Sequence, residues 1–254
     1  MNVFITGASS GIGAALAREF AARGATLGLV ARRGEALDAL MAGLPGRHRR
    51  YALDVTDRAR LVEAGREFEQ ASGGADIVVA SAGISAGTLT EYAEDLPVFE
   101  RVLATNFLAV VDTFHPFVAP MRRRGRGRLA AIASVAGVRG LPGAGAYCAS
   151  KAALITYCES LRVELHGSGV RVVTIAPGFI DTPMTAGNPY PMPFLMTAES
   201  FARLAVKAIL RGDAYQVIPW QMAWLARVLR VLPNRVFDRI MQARARKPRI
   251  GSSA

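Results

Sequence analysis

The sequence predicts an α/β protein built on a doubly wound parallel sheet with helices on both faces. Three observations carry that prediction. Short apolar runs alternate with helix-length segments along most of the 254 residues. The first two runs, at 3–5 and 26–31, are apolar rather than alternating, as suits strands buried on both faces. The first run also passes directly into a glycine-rich turn and a helix, the opening of a βαβ unit. With 51% hydrophobic residues the chain can bury one sizeable core, and no stretch has the composition of a linker. One domain over 1–218 is expected, with 219–254 as a helical extension of it.

Val3, Phe4 and Ile5 form the first strand, and Gly7, Gly11 and Gly13 punctuate the turn after it. Backbone N–H groups at a helix N-terminus can hold a pyrophosphate only where no Cβ intervenes, so the chemistry calls for glycine there. Ile12, Leu16 and Phe20 repeat every four residues and give the helix its buried face, and Gly24 closes it. Residues 26–31 (TLGLVA) form a second strand, ending at Arg32 and Arg33. An acidic residue at that point binds the ribose 2′-hydroxyl of NAD, whereas arginine accommodates the 2′-phosphate of NADP. This pair therefore favours NADP(H) over NAD(H), unless the two are only solvated arginines opening a helix.

Residues 50–53 read as a third strand with Asp54 at its ligand-facing end, 57–70 as a helix anchored by Leu61, Val62 and Phe68, and 76–80 as a fourth strand. Ser81, Ala82 and Gly83 then make a small-residue turn. A helix is expected over 98–121, disturbed in its last turns by Pro116 and Pro120. Asn106, a poor helix former, sits inside it and calls for a packing or functional reason. Residues 129–133 form a fifth strand delivering Ser134, and a glycine-rich loop leads to a helix over 146–164. A sixth strand, 170–176, ends at Pro177 and Gly178; a helix over 199–210 and a strand over 215–218 complete the sheet. Between them, 181–196 holds four prolines with Met184, Tyr190, Met192, Phe194, Leu195 and Met196. It reads either as a lid over an apolar substrate or as a loop pinned by its own side chains.

Tyr147 and Lys151 lie one turn apart on one helix face. A phenol with pKa near 10 is a poor acid–base at neutral pH. A lysine about 4 Å away, at an effective dielectric of about 20, is worth roughly 4 kcal/mol, an upper figure of about three pKa units. The pair can thus bring the phenol close to pH 7.

TGASSGIG at 6–13, Asn106, Ser134 and Tyr147-x3-Lys151, in this order, resemble the short-chain dehydrogenase/reductase family over about residues 1–218. The resemblance implies a Rossmann-type fold and a nicotinamide cofactor. It implies that Tyr147 is the general acid–base, that Lys151 binds the nicotinamide ribose and lowers the tyrosine pKa, that Ser134 orients the substrate oxygen and that Asn106 holds a water for proton relay. Cofactor contacts are implied at Gly7, Ser9, Ser10, Gly11, Ile12, Gly13, Arg32, Arg33, Asp54, Val55, Ala82, Gly83, Tyr147, Lys151, Pro177, Gly178, Ile180 and Thr182. Where the family commonly has Asn-Asn-Ala-Gly after the fourth strand, this chain has Ala80-Ser81-Ala82-Gly83, and the Ser81 hydroxyl is expected to donate a shorter-reaching hydrogen bond there. The family usually forms dimers or tetramers through the two long helices, so a homo-oligomer is expected.

Cys148 and Cys158 suggest neither a disulfide nor a zinc site, and His48, His115 and His166 lack metal-ligand spacing, so no metal is expected. No run of about 18 apolar residues and no room for a signal peptide point to a cytoplasmic protein. The net charge of +11 is concentrated at one end, where residues 211–254 hold nine basic residues against two acidic ones. Trp220, Trp224, Leu225, Val228, Leu229 and Leu232 recur at helical spacing, and the pattern resumes after Pro233 at Val236, Phe237, Ile240 and Met241. This basic amphipathic pair could cover the substrate cleft or a partner subunit, anchor the protein peripherally to a membrane, or dock an acidic carrier protein. Nothing resembles a nucleic-acid-binding module. The reaction read from these residues is hydride transfer between NADP(H) and an apolar ketone or secondary alcohol. A 3-oxoacyl-carrier reductase is the enzymatic alternative, and a peripheral membrane protein that binds the dinucleotide without turnover is the alternative of another class.

Overall fold

The computed structural model describes residues 1–242 and 245–249. Seven parallel strands form the central sheet: β1 (Asn2–Thr6), β2 (Thr26–Ala31), β3 (Arg49–Ala52), β4 (Ile77–Ala80), β5 (Gly127–Ile132), β6 (Val170–Pro177) and, after a separate pair, β9 (Tyr215–Ile218). Their order across the sheet is β3-β2-β1-β4-β5-β6-β9. The chain winds outward in both directions from β1 and β4, so the C-terminal ends of those two strands flank the crevice where such sheets bind ligands. The separate pair, β7 (Ile180–Asp181) and β8 (Met196–Thr197), closes the base of the proline-rich segment through Ile180↔Met196 and Asp181↔Thr197.

Side-chain alternation along β1 splits the core into two layers. Val3 and Ile5 join Leu16, Phe20, Phe201 and Val206 beneath α1 (Gly11–Ala21), α2 (Gly34–Ala42) and α7 (Ala198–Arg211). Phe4 points the other way, to Phe68, Phe114 and Phe117 on α3 (Arg58–Ala71) and α5 (Ala109–Arg124), a layer completed by α6 (Gly145–Glu164). The rings of Phe4 and Phe117 lie 5.1 Å apart. Gly28 makes room for this cluster, since a Cβ there would sit 2.6 Å from the Phe68 ring. Caps fix the helix starts: the Asp57 carboxylate accepts from Arg60 N at 3.1 Å, and the Thr197 hydroxyl accepts from Ser200 N at 3.2 Å.

The structure departs from the sequence reading in three places. α2 was raised only as a helix that Arg32 and Arg33 would open and was given no range, because Leu37 and Leu40 are its only buried side chains and leave too thin an apolar stripe to delimit it. The helix expected over 98–121 runs from α4 (Leu96–Leu103) through a π-helical turn at Ala104–Leu108 into α5, and the prolines do not disturb its end. Pro116 instead seats against Gly65 of α3, where a Cβ would come within 2.6 Å of its ring, and the helix stops at Gly125 in the left-handed region. The irregularity falls at Asn106. Finally, the helical run Ala93–Arg124 is long and apolar enough to cross a membrane, contrary to the expectation that no such stretch exists. Here it is a packed helix of the sheet's flank, with Phe114, Phe117 and Met121 fully buried.

α8 (Trp220–Val231) and α9 (Asn234–Gln242) form the expected C-terminal pair. Arg244 and residues 250–254 of the basic extension lie outside the described residues.

Candidate active site

A cleft of about 390 Å3 opens at the C-terminal edge of the sheet, above the β1–β4 junction. Its floor is the turn between β1 and α1. Gly7 and Gly11 take positive φ values of 70° and 53°. Gly13 fits because a Cβ there would lie 2.2 Å from the Gly7 carbonyl oxygen, and one on Gly7 would lie 2.7 Å from Ala82 Cα. Ser10, the N-cap of α1, makes no side-chain bond to the helix, which leaves the first-turn N–H groups for a ligand. The turn after β4 is braced from Thr6, whose buried hydroxyl accepts from Ser81 N at 3.2 Å and Ala82 N at 3.3 Å. The Ser81 hydroxyl, expected to brace this turn, is buried without a hydrogen-bond partner. Its reach is too short, and Thr6 takes over the work.

At the far end of the cleft, Arg32 and Arg33 stand at the tip of β2. Arg33 donates to the Ser9 hydroxyl at 3.2 Å, and Arg32, with 72% of its side chain exposed, faces Asp54 at 3.9 Å. Burial alone would raise the Asp54 carboxyl, but hydrogen bonds from the Thr56 N–H and hydroxyl and the Arg32 charge hold it below the usual range. Every cofactor contact expected from the sequence lines this cleft, including Val55, Pro177, Gly178, Ile180 and Thr182. The cradle, the helix N-terminus and the paired arginines suit a dinucleotide phosphate.

Ser134, Tyr147 and Lys151 converge on the cleft wall beyond the glycine turn. Ser134 follows β5, and Tyr147 and Lys151 sit on the first turns of α6. Burial is the main influence on the Tyr147 phenol and pushes its pKa up, and a hydrogen bond with Ser134 partly offsets it. The expected lowering by Lys151 is not found. The Lys151 ammonium stands 5.8 Å from the Tyr147 ring centre and donates instead to the Ile132 carbonyl at 2.8 Å. Burial lowers the lysine itself to about 8, so at pH 7 it remains mostly cationic.

Asn106 does not line the cleft. Its side chain is fully buried, with Oδ1 accepting from Ile84 N at 2.8 Å and Nδ2 donating to Ile84 O at 2.9 Å and to the Ser150 hydroxyl at 3.0 Å. Ser150 in turn donates to the Tyr147 carbonyl at 2.8 Å. The asparagine amide thus ties the turn after Gly83 to α6. Sequence reasoning overlooked Ser150; a polar residue in an alanine-rich helix was the available signal.

A second chamber, of about 400 Å3, shares Ser134, Tyr147, Gly178, Met184 and Thr185 with the cleft. Its walls are largely apolar. The 181–196 segment supplies Met184, Tyr190 and Pro193, and the inner face of α8 supplies Met222, Leu225, Ala226 and Leu229. That segment is pinned by its own side chains, as Thr185 Oγ1 donates to Ile180 O at 2.6 Å and Tyr190 packs on Phe179 with ring centres 6.3 Å apart, and it walls both cavities. Arg139 fastens α8, with its guanidinium donating to Leu229 O, to Leu232 O at 2.8 Å and to Asn234 Oδ1 at 2.9 Å, and lying 3.8 Å over the Phe237 ring. The extension therefore covers the chamber. Cys148 and Cys158 are buried packing groups.

A parallel sheet with a glycine cradle at its switch point, and a Ser-Tyr-Lys group beside it, defines a dinucleotide-binding oxidoreductase. Comparison with known proteins agrees. The short chain dehydrogenase family profile matches residues 1–190. An uncharacterized oxidoreductase of Myxococcus xanthus is 43% identical over 245 residues, covering 93% of this chain and 94% of that protein. A 3-oxoacyl-[acyl-carrier-protein] reductase of Thermotoga maritima is 37% identical over 188 residues, 73% of this chain and 76% of its own. The crystal structure of levodione reductase superposes with a TM-score of 0.79 at 26% identity, over 87% of this chain and 97% of that one. The chain belongs to the short-chain dehydrogenase/reductase family.

Proposed function

We propose that this protein is an NADP(H)-dependent oxidoreductase acting on an apolar ketone or secondary alcohol, with Tyr147 as the general acid–base. The observation that carries this reading is the wall shared by the two cavities, where Ser134 and Tyr147 face both the glycine cleft and the apolar chamber. The nicotinamide, when bound, supplies or accepts the hydride. The chain's own residues do the rest. The Ser134 hydroxyl holds the substrate oxygen, and the Tyr147 hydroxyl hands it a proton on reduction or takes one on oxidation. Lys151, cationic near neutrality, favours the phenolate as it forms once a ligand draws its ammonium from the Ile132 carbonyl. Arg32 and Arg33 favour the 2′-phosphate. An intact Ser134–Tyr147–Lys151 group argues against a dinucleotide binder without turnover.

The test is NADPH and NADH oxidation by the purified protein with a bulky lipophilic ketone and a medium-chain 3-oxoacyl thioester. Tyr147→Phe should keep NADPH binding within a few-fold and abolish turnover; retained activity refutes the acid–base assignment. Arg32→Ala should weaken NADPH but not NADH by about ten-fold, the loss of one charge-assisted phosphate contact. Preference for the thioester would support the 3-oxoacyl reading, which the Thermotoga relative and the basic surface favour. We also place the protein in the cytoplasm, peripherally membrane-associated through α8 and α9, as a homo-oligomer. Exposed Leu108 on the α4–α5 run and Val163 on α6 support association through the long helices.

A further inference from the structure

The chamber's charge is one-sided. Among the described residues its lining includes two cationic side chains, Arg139 and Lys247, and no carboxylate. Arg139 is spent on the carbonyls that end α8 and on Asn234. Lys247 is different. Its ammonium donates to the Met184 carbonyl at 3.2 Å, on the chamber's own wall, and no acidic side chain among the described residues pairs with it. It lines the apolar chamber and not the glycine cleft, so a dinucleotide phosphate is not its partner.

The chain takes trouble to put this lysine there. Residues 245–249 form a strap across the chamber from the C-terminal side. Gly87 N donates to Pro248 O at 3.0 Å, and Gly87 bridges Arg249 in parallel. A Cβ on Gly87 would meet the Lys247 carbonyl oxygen at 2.2 Å, and one on Gly143 would meet Arg246 Cβ at 3.1 Å. The strap therefore lies in a slot between two glycines. Its end is buckled down by Arg249, which donates to Asp95 Oδ2 at 2.8 Å, faces Glu94 at 3.8 Å and stacks 3.5 Å over the Tyr92 ring. Asp95 is fully buried and also accepts from Leu89 N at 2.7 Å. At the buckle charge meets charge, whereas two residues earlier Lys247 is held against apolar walls with a lone carbonyl. Burial there lowers its pKa below the ordinary lysine value, a cost that a bound anion would remove.

We propose that Lys247 is the anchor for an anionic group on an otherwise apolar substrate, so that the chamber selects an amphiphile bearing a carboxylate or phosphate besides the reacting oxygen. Apolar walls bind the chain, Ser134 and Tyr147 take the carbonyl or alcohol, and Lys247 takes the anion. The proposal rests on the reading of the chamber as the substrate site, but its test needs no turnover.

The test is calorimetric titration of the full-length protein, saturated with NADP+, with decanoate, decyl phosphate and decanol at pH 7, repeated with Lys247→Met and Lys247→Arg. The wild type should bind at least one of the anions about ten-fold or more tighter than decanol. Lys247→Met should lose that preference while its decanol affinity stays within about two-fold, and Lys247→Arg should keep it. Decanoate and decyl phosphate separate carboxylate from phosphate as the group read. Equal affinity for all three chains in the wild type, a preference that survives in Lys247→Met, or binding of none of them overturns the proposal. An anion preference in a protein that turns over no ketone would instead overturn the reductase reading and leave the Lys247 site standing.

Discussion

Lys151 carries opposed demands. Its ammonium is buried, with one carbonyl for company, and its pKa falls from 10.5 to about 8. At pH 7 the folded protein bears the cost of that buried charge, roughly 3 kcal/mol for such a shift. Removing the side chain strands the Ile132 carbonyl, at about 1–2 kcal/mol. The first effect exceeds the second. Lys151→Met should therefore raise stability by about 1–2 kcal/mol at pH 7 in urea unfolding while eliminating turnover. The sign with pH follows. Between about pH 8 and 10.5 the unfolded lysine is protonated and the folded one is not, so wild-type stability gains from this group as pH rises, and the variant's advantage should shrink across that window. An advantage that stays constant with pH would contradict the assignment. At this scale the sequence was most informative where backbone geometry demands a residue type. Gly7 and Gly13 were legible because a Cβ on either would strike backbone atoms, at 2.7 Å and 2.2 Å, and Gly11 because its φ of 53° favours glycine. The direction of the Tyr147 shift was not, because burial and the aim of the Lys151 ammonium are set by residues distant in sequence.

Among the elements, α8 has two unlike faces. Met222 and Ala226 are buried towards the chamber, while Trp220, Trp224, Val228 and Val231 form an outward stripe, with Trp220 65% and Val231 80% exposed. Arg227, Arg235 and Arg239 stand exposed on the same pair of helices. Apolar residues flanked by arginines suit an anionic lipid surface better than a second basic copy of the same face. Phosphatidylglycerol-containing vesicles should sediment the wild-type protein, and the Trp220→Ser/Trp224→Ser double variant should bind them at least ten-fold more weakly. Equal sedimentation of both proteins, or none with anionic lipid, would exclude that contact. Elements with a strong apolar period, such as α8, were readable in advance; α2, with two buried side chains, could not be delimited. The two prolines of α5 misled because their cost depends on what receives the ring, and the receiving notch, Gly65, lies some fifty residues away.

Across the whole molecule, the alternation of strand and helix made a doubly wound parallel sheet legible, whereas the order β3-β2-β1-β4-β5-β6-β9 came only with the structure. The chamber was less legible. Its walls come from the 134–147 loop, the 181–196 segment, α8 and the strap at 245–249, which are far apart in the chain and share no motif. Met184 and Thr185 belong to both cavities, so whatever fills the cleft also forms part of the chamber's floor. That sharing has a kinetic consequence. The two reactants should enter in compulsory order, dinucleotide first and leaving last. In initial-rate measurements NADP+ should inhibit competitively against NADPH and non-competitively against the ketone, and trapping experiments should capture a bound dinucleotide but no productive binary complex with the ketone. Random order would mean that the 181–196 segment keeps one shape whether or not the cleft beneath it is filled.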